Sequence, residues 1–340
     1  MKWDFAIGNP AYQDQTLGDN KGFAPPIYDK FIDAACEIAD KVEMIHPARF
    51  LFNAGSTPKT WNEKMLNDPH FKVLEYEEDA AKVFSNTDIK GGVAITYRDE
   101  GKDFGAIKVF TKFPELNSIL KKVVIPETNS LMSVIYIQNR FNLTTLLKEH
   151  PEYKSSIGSN GKDSRFEKNI FVKIPLFTET KNADSIKTLG IFNNKRVWRY
   201  IPARFVDTIH ENLYKYKIVI PVANGSGEFG QALSTPVLEA PYEAYTRSFI
   251  GIGSYDTEQE ANVAMKYIKS KFTRTMLSVL KVTQMTNKDV WRYVPLQDFT
   301  DKSDIKWNTS IANIDKQLYK KYGLSQEEID FIETHVKEMA

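Results

Sequence analysis

The amino-acid sequence predicts an α/β fold in which part of a doubly wound sheet is followed by a separate α+β domain. The 340-residue chain is 42% hydrophobic and 12% aromatic, a composition typical of a globular protein with two domains of ordinary size. Strand and helix patterns alternate in the first third and give way to short strands, loops and isolated helices after Phe113-Pro114. We therefore expect one domain over residues 1–113 and a second over residues 114–340.

The first elements form a strand-helix-strand unit. Trp3–Gly8 has the pattern of a short buried strand, and it runs into the polar loop 9–24. Pro25-Pro26 opens a helix, since proline is favoured in a first helical turn, and residues 42–45 return as a strand. This order is typical of a parallel sheet. The apolar residues that recur at helical spacing here are Ile27, Phe31, Ala35, Ile38 and Val42.

Three further elements complete the first domain. A helix over Pro58–Leu66 leads to the strand Phe71–Leu74. A hairpin then runs from Val83-Phe84 through a turn to the strand Gly92–Tyr97. The alternation of strands and helices thus covers only the last part of a doubly wound sheet.

The second domain contains two helices with strong start signals. Thr257 and Glu260 form a capping box that begins a helix extending through Lys281, and Ser325 and Glu328 begin the last helix in the same way. Apolar residues at helical spacing predict that both helices pack against the domain. They are Ala261, Ala264, Met265, Ile268, Phe272, Met276 and Val279 in the first helix, and Ile329, Ile332 and Val336 in the last.

Charge is balanced overall and segregated locally. The net charge of +1 comes from 45 basic and 44 acidic residues, so a surface for nucleic acid would have to arise from local excess. Residues 161–217 hold twelve Lys or Arg against six Asp or Glu, and residues 262–295 hold seven against one. The basic face of the first capped helix is either an ordinary solvated face or a face that contacts DNA phosphates. Its residues are Lys266, Lys269, Lys271 and Arg274.

A nine-residue segment occurs twice in the second domain. Residues 194–202 and 287–295 share seven positions, including the Val-Trp-Arg-Tyr core of each copy. In one interpretation, two similar strands bury Val and Trp, so that Trp198 and Trp291 lie in the core. In the other, two equivalent hairpins also present Arg199 and Arg292 to DNA.

Several other classes of protein are disfavoured. Cys36 has no partner and falls on an apolar helix face, so we expect a core residue in a reducing compartment and a cytoplasmic protein. The five histidines lack metal-ligand spacing, and we expect no metal site. No apolar run has the length of a membrane span, and we expect no membrane association.

The segment with the clearest chemical meaning is Asn9-Pro10-Ala11-Tyr12, directly after the first strand. It resembles the Asn-Pro-Pro-Tyr motif of amino-methyltransferases, which lies at the carboxyl edge of a parallel sheet, where ligands bind in such folds. The exocyclic nitrogen of adenine is a poor nucleophile because its lone pair is delocalised. The Asn9 side-chain oxygen and the Pro10 carbonyl are suited to hold its N–H bonds, and Tyr12 offers a face on which a flipped base can stack.

The resemblance extends to the gamma class of adenine-specific (N6) DNA methyltransferases of restriction-modification systems. The helix from Tyr28, the segment Met44–Leu51 and the segment Val83–Val93 follow in that family's order. In such enzymes an aromatic residue in the last segment flanks the flipped adenine, which implicates Phe84. The resemblance implies an incomplete doubly wound methyltransferase sheet over 1–113 and a DNA target-recognition domain over 114–340.

Two departures from the family pattern affect this interpretation. Ala11 replaces the second proline of the motif, so the turn loses one fixed dihedral angle. The family's S-adenosylmethionine-binding loop should precede Asn9, where only eight residues stand. We therefore expect double-stranded DNA as partner, S-adenosylmethionine as cofactor with most of its binding loop missing, and either a partner chain that carries the N-terminal half or a truncated remnant.

Three alternatives remain open from the sequence. The chain could be a non-catalytic DNA-recognition subunit in which the motif is vestigial. It could be a glutamine-methylating enzyme that acts on protein, although the long, locally basic second domain argues against this. A nuclease is also conceivable, but the sequence lacks a convincing Asp followed by Glu-x-Lys on adjacent strands.

Overall fold

The computed structural model describes residues 2–14, 24–85, 89–123, 126, 129–157 and 164–339. Contacts between Cα atoms divide the chain into two compact units, Met1–Asn117 and Ser118–Ala340. Each unit is a mixture of helices with small sheets. Within the described ranges, no helix combines the length and the apolar character that a bilayer crossing requires.

Four strands of the first unit form one mixed sheet with the order β1-β2-β4-β3. β1 pairs with β2 in parallel, and β4 pairs antiparallel with both β2 and β3. The parallel pair and its connecting helix agree with the predicted strand-helix-strand unit. The elements of this unit are β1 (Ala6–Gly8), α1 (Tyr28–Ile38), β2 (Lys41–Pro47), α2 (Lys59–Asn67), β3 (Phe71–Glu77) and β4 (Val93–Asp99).

The core of the first unit corrects two predictions about burial. α1 buries Tyr28, Ile32 and Ala35 against the sheet, whereas Phe31 and Ile38 are largely exposed. Apolar residues occur on more than one face of α1, so the sequence pattern alone did not define the packed face. β1 is not a buried strand either. It lies at the edge of the sheet, where it pairs only with β2 among the described strands.

The predicted strand Val83-Phe84 was also wrong. β3 extends to Glu77 and supplies the strand that pairs with β4. Residues 80–82 then form a 3₁₀ turn capped by the Asp79 side chain, and Val83 and Phe84 follow that turn outside any strand. The hairpin exists, but its first strand is β3.

The second unit contains two sheets and a set of packed helices. Its sheets have the strand orders β10-β6-β7 and β5-β11-β8-β9. α3 (Pro114–Lys122) spans the division between the units. The other elements are β5 (Ile135–Tyr136), α4 (Leu143–Glu149), α5 (Lys154–Ile157), α6 (Ile170–Lys173), β6 (Ser185–Phe192), β7 (Lys195–Pro202), β8 (Tyr216–Pro221), β9 (Val237–Glu239), β10 (Glu243–Tyr245), β11 (Phe249–Tyr255), α7 (Glu258–Lys269), α8 (Lys271–Ser278), α9 (Ile311–Lys321) and α10 (Gln326–His335).

Both predicted capping boxes are confirmed, but the long helix is not continuous. Thr257 caps α7 and Ser325 caps α10, each in a reciprocal pair with the glutamate three residues later. The helix predicted through Lys281 breaks at Ser270, whose backbone is extended and whose side chain caps α8. Serine favours such a cap because its hydroxyl satisfies a free N–H of the next helix.

The two copies of the nine-residue segment adopt different structures, so the predictions of two similar strands and of two equivalent hairpins were both wrong. The first copy forms β7, which pairs with β6 across a two-residue turn at Asn193 and Asn194. Both turn residues have positive φ angles, as this tight hairpin turn requires. The second copy has no such Asn-Asn turn before it, and residues 288–291 form a 3₁₀ helix instead. Trp291 is buried as predicted, whereas Trp198 is 37% exposed.

Candidate active site and DNA contacts

The motif loop begins where β1 ends. Asn9 directly follows Gly8, the last residue of β1, at the carboxyl end of this parallel strand. Backbone hydrogen bonds tie the loop to the chain before α1. The Ile27 N–H donates to the Tyr12 carbonyl at 3.2 Å, and the Asp14 N–H donates to the Pro25 carbonyl at 2.9 Å. The loop is therefore held from both sides.

Two hydrogen-bond acceptors of the motif have no partner among the residues that the structure describes. The Asn9 side chain is exposed. Neither its amide nor the Pro10 carbonyl bonds to any residue of the described ranges. A side-chain amide oxygen and a backbone carbonyl can each accept an N–H from a ligand without adding a full negative charge. The loop thus offers two neutral acceptors at the edge of the sheet.

The structure brings Tyr12 and Phe84 together. Their ring centroids lie 6.3 Å apart, with the ring planes at 66° in an edge-to-face contact. Phe84 is held by its N–H, which donates to the Ala80 carbonyl at 2.8 Å. The Tyr12 hydroxyl is buried without a hydrogen-bond partner among the described residues, and this burial raises its pKa. Phe84 therefore packs against the aromatic ring of the motif itself.

A buried histidine supports the sheet beside the motif. His46 on β2 donates its Nδ1–H to the Pro47 carbonyl at 3.1 Å, so its Nε2 accepts from the Thr96 hydroxyl at 2.7 Å. Its ring stacks on Tyr28, with centroids 5.7 Å apart. Burial lowers the pKa of His46 to about 4. His46 is therefore a neutral core residue that joins β2, β4 and α1.

Arg274 cannot contact DNA, which corrects the prediction for this residue. Its side chain is 1% exposed. The guanidinium donates to backbone carbonyls from three parts of the chain, including that of Lys269 at 3.1 Å, that of Gly230 at 3.4 Å and that of Lys337. These bonds fix α8 to the loop at 230 and to the end of the chain. Helical spacing could not reveal this role, because the partners are distant in sequence.

The other residues of the predicted basic face are also engaged within the second unit. The Lys266 ammonium donates to the Thr309 carbonyl at 3.0 Å, and Lys271 forms an ion pair with Glu333 at 2.6 Å. Lys269 also interacts with another group of the protein. The face made by these lysines thus serves largely to join α7 and α8 to neighbouring segments.

The two arginines of the repeated segment differ in environment. Arg199 on β7 pairs with Glu179 at 2.7 Å and lies over the Phe192 ring, with its side chain 17% exposed. Arg292 follows the 3₁₀ helix 288–291 and is exposed. That both residues contact DNA stays a prediction. Arg199 would have to leave its ion pair with Glu179 to bind a phosphate, whereas Arg292 forms no ion pair with a described residue.

Sequence reasoning missed two features. It gave no signal for the pairing of Gln13 with Pro26, which fixes the motif loop. It also missed a group of side-chain donors around Arg140 and Arg165 in the second unit. These residues are far apart in sequence, and only the folded backbone brings them together.

One protein-family model matches the start of this chain. Residues 1–84 match the model of the Eco57I restriction-modification methylase family. The matched segment includes β1, the motif loop, α1 to β3 and Phe84. This match supports a restriction-modification methyltransferase. Comparison with curated protein sequences gives no match.

Two solved structures with similarity to this chain are restriction enzymes. The type IIL restriction-modification enzyme MmeI, in complex with DNA, has a TM-score of 0.34 and 10% identity over 98% of this chain and 56% of its own. The type IIG restriction endonuclease BpuSI has a TM-score of 0.33 and 9% identity over 91% of this chain and 49% of its own. The chain spans about half the length of these structures. At these TM-scores they support no conclusion about fold or function.

Proposed function

We propose that this chain supplies the target-base side of an adenine N6 DNA methyltransferase site in a restriction-modification system. The observation that carries the proposal is the set of free acceptors at Asn9 and Pro10 beside the contacting rings of Tyr12 and Phe84. The match of residues 1–84 to a restriction-modification methylase family supports it. In this proposal residues 1–113 belong to the catalytic domain and residues 114–340 recognise the DNA target.

The acceptors suit an exocyclic amine. The adenine amino group is a weak nucleophile because its lone pair is delocalised into the ring. Two acceptors that hold its N–H bonds favour a pyramidal nitrogen whose lone pair points away from the ring, and this assistance is strongest in the transition state. The Asn9 oxygen and the Pro10 carbonyl take this role.

The aromatic pair suits a base that has left the duplex. Aromatic rings stack at van der Waals distance, so a base between two parallel rings needs centroids about 7 to 8 Å apart. Tyr12 and Phe84 stand at 6.3 Å and are tilted. We infer that the rings close on each other without DNA, and that a flipped adenine separates them and takes their place.

S-adenosylmethionine is the methyl donor that the proposal requires, and it supplies an electrophilic methyl group. Ligands of doubly wound sheets bind between parallel strands where the strand order reverses. β1 pairs with β2 alone among the described strands, and its other edge is open. In this proposal the cofactor's site therefore needs strands beyond those described in the first unit.

The exposed side of β1 supports a partner that carries the remaining strands. Trp3 and Ile7 are 72% and 73% exposed, and Phe5 is 46% exposed. Ile7 lies in β1, and Trp3 and Phe5 lie just before it, so three apolar side chains at this edge of the sheet are open to solvent. We propose that a polypeptide with the cofactor-binding half of a methylase adds a strand beside β1 and covers these side chains.

The test is methyl transfer from labelled S-adenosylmethionine to double-stranded DNA. The chain is assayed alone and with a polypeptide that carries the cofactor-binding half of an Eco57I-type methylase, and the DNA is digested to nucleosides. The proposal predicts N6-methyladenine only when both parts are present. Methyl transfer to protein glutamine, or DNA binding without any transfer by the complete pair, would contradict it and favour the alternative functions.

A further inference from the structure

Three chain segments meet around Arg140 in the second unit. The Phe141 N–H donates to the Ser164 carbonyl at 2.6 Å, and the Phe166 N–H donates to the Asn139 carbonyl at 2.9 Å. On the other side, the Asp207 N–H donates to the Arg140 carbonyl at 2.8 Å. Segments 138–142, 164–166 and 205–210 are thus held together by backbone hydrogen bonds.

This pairing places two arginines directly opposite each other. Arg140 and Arg165 form an antiparallel bridge, and the hydrogen bonds on both sides of it identify a non-hydrogen-bonded pair. In such a pair the Cα atoms are about 4.5 Å apart and the side chains leave on the same face. Like charges directly opposite each other are destabilising unless something neutralises them.

No carboxylate of the described residues forms an ion pair with either arginine of this pair. The Nε of each arginine is buried without a hydrogen-bond partner among those residues. The nearby carboxylates are engaged elsewhere: Glu167 binds Arg247, and Glu211 accepts from the Tyr136 hydroxyl at 2.7 Å. The Asp207 carboxylate accepts from the Ile209 N–H at 2.8 Å.

Two further side chains present unpartnered nitrogens beside this pair. Gln138 is only 5% exposed, and its Nε2 has no hydrogen-bond partner in the described structure. The His210 ring forms a hydrogen bond with the Gln138 carbonyl. The Nε2 of His210 is buried and has no hydrogen-bond partner among the described residues. Burial lowers the pKa of His210, and the charges of Arg140 and Lys288 lower it further, whereas the Asp207 carboxylate acts in the opposite direction. We call Gln138, Arg140, Arg165 and His210 the donor cluster.

We propose that the donor cluster binds a backbone phosphate of double-stranded DNA. Two guanidinium groups and a buried amide offer several N–H donors in one place, and guanidinium matches the geometry and charge of a phosphate. A phosphate that binds the guanidinium groups would neutralise the two opposed arginines. This inference rests on the proposed function for the choice of DNA, and it adds a contact that the basic helix face does not provide.

The experiment measures DNA affinity at several salt concentrations for the full chain and two variants. Arg165→Gln removes one arginine of the cluster. Arg204→Gln is the matched control, because Arg204 is exposed and pairs with Glu149 at 3.0 Å. We expect Arg165→Gln to weaken binding about tenfold at low salt and to reduce the slope of log affinity against log salt by about one. The control should bind like the parent.

Thermal melting separates a binding role from a structural one. Removing one of two opposed like charges should leave the melting temperature of Arg165→Gln unchanged or higher without DNA. Sulfate should stabilise the parent chain more than the variant, since it binds the folded cluster. A lower melting temperature without DNA would assign Arg165 a structural role and overturn the inference.

The outcomes also distinguish this inference from the proposed function. If Arg165→Gln binds DNA like the parent at every salt concentration, the phosphate site is wrong even where adenine methylation is observed. If sulfate stabilisation depends on Arg165 while DNA affinity does not, the cluster binds a free anion and the DNA assignment fails. If DNA affinity depends on Arg165 but the complete enzyme methylates no adenine, the phosphate site stands and the proposed function fails.

Discussion

The ring of Tyr12 contacts the ring of Phe84 edge to face, with the centroids 6.3 Å apart, although the two residues follow different strands. Tyr12 belongs to the loop after β1, and Phe84 follows the 3₁₀ turn after β3. Their contact thus joins the motif loop to the segment after β3. In the proposed function, the flipped base enters between the two rings.

This relationship predicts the effect of removing Phe84. Phe84→Ala should weaken binding of DNA with a mispaired target base by about 1 to 3 kcal/mol, because one stacking surface is lost. Fluorescence of 2-aminopurine at the target position should increase less than with the parent protein. Tyr214→Ala, which removes a 41% exposed aromatic ring of the second unit, is the control. Equal affinity and equal fluorescence for Phe84→Ala and the parent would show that Phe84 does not contact the base.

The two tryptophans of the repeated segment should differ in their effect on stability. Trp291 is fully buried, so Trp291→Ala should lower the free energy of unfolding by about 3 to 5 kcal/mol. Trp198 is 37% exposed on β7, and its substitution by Ala should cost much less. Urea unfolding of both variants provides the comparison. Equal losses would mean that the two copies of the segment are packed alike.

The buried His46 predicts a loss of stability in acid. Its pKa is about 4 in the folded protein and about 6.5 when unfolded, so the unfolded state takes up a proton first as the pH falls. The neutral form of His46 therefore contributes its full stabilisation above about pH 6.5. This stabilisation is lost as the pH falls from about 6.5 to about 4. We expect a decrease of about 2 kcal/mol from pH 7 to pH 5.

His46→Gln is the variant that isolates this contribution. It removes the titrating group but keeps polar atoms near Thr96 and Pro47. Between pH 7 and pH 5, the free energy of unfolding should fall less in this variant than in the parent. The difference between the two decreases should be about 2 kcal/mol. Denaturant unfolding at both pH values measures it. An identical pH dependence in parent and variant would show that His46 is not the group responsible.

Local sequence signals were sufficient to predict some elements of the fold and insufficient to predict others. The caps at Thr257 and Ser325 depend on residues three positions apart, and the structure confirms both. The burial of Arg274 depends on carbonyls at distant positions, which no local pattern contains. The same holds for the opposed Arg140 and Arg165. The sequence pointed to the motif at Asn9 and, through the family resemblance, to Phe84, whereas the fold showed that Phe84 contacts Tyr12 and that the Asn9 amide has no partner among the described residues.

The most direct test of the central claim is the rate of adenine methylation by Asn9→Ala in the presence of the cofactor-binding half. In the proposed function Asn9 contributes an acceptor that matters mainly in the transition state, so we expect the rate to fall about 100-fold or more. Its affinity for DNA should stay within about twofold of the parent value, because the ground-state contact is a single exposed hydrogen bond. An Asn9→Ala protein that methylates adenine at the parent rate would contradict the assignment of this loop as the active site.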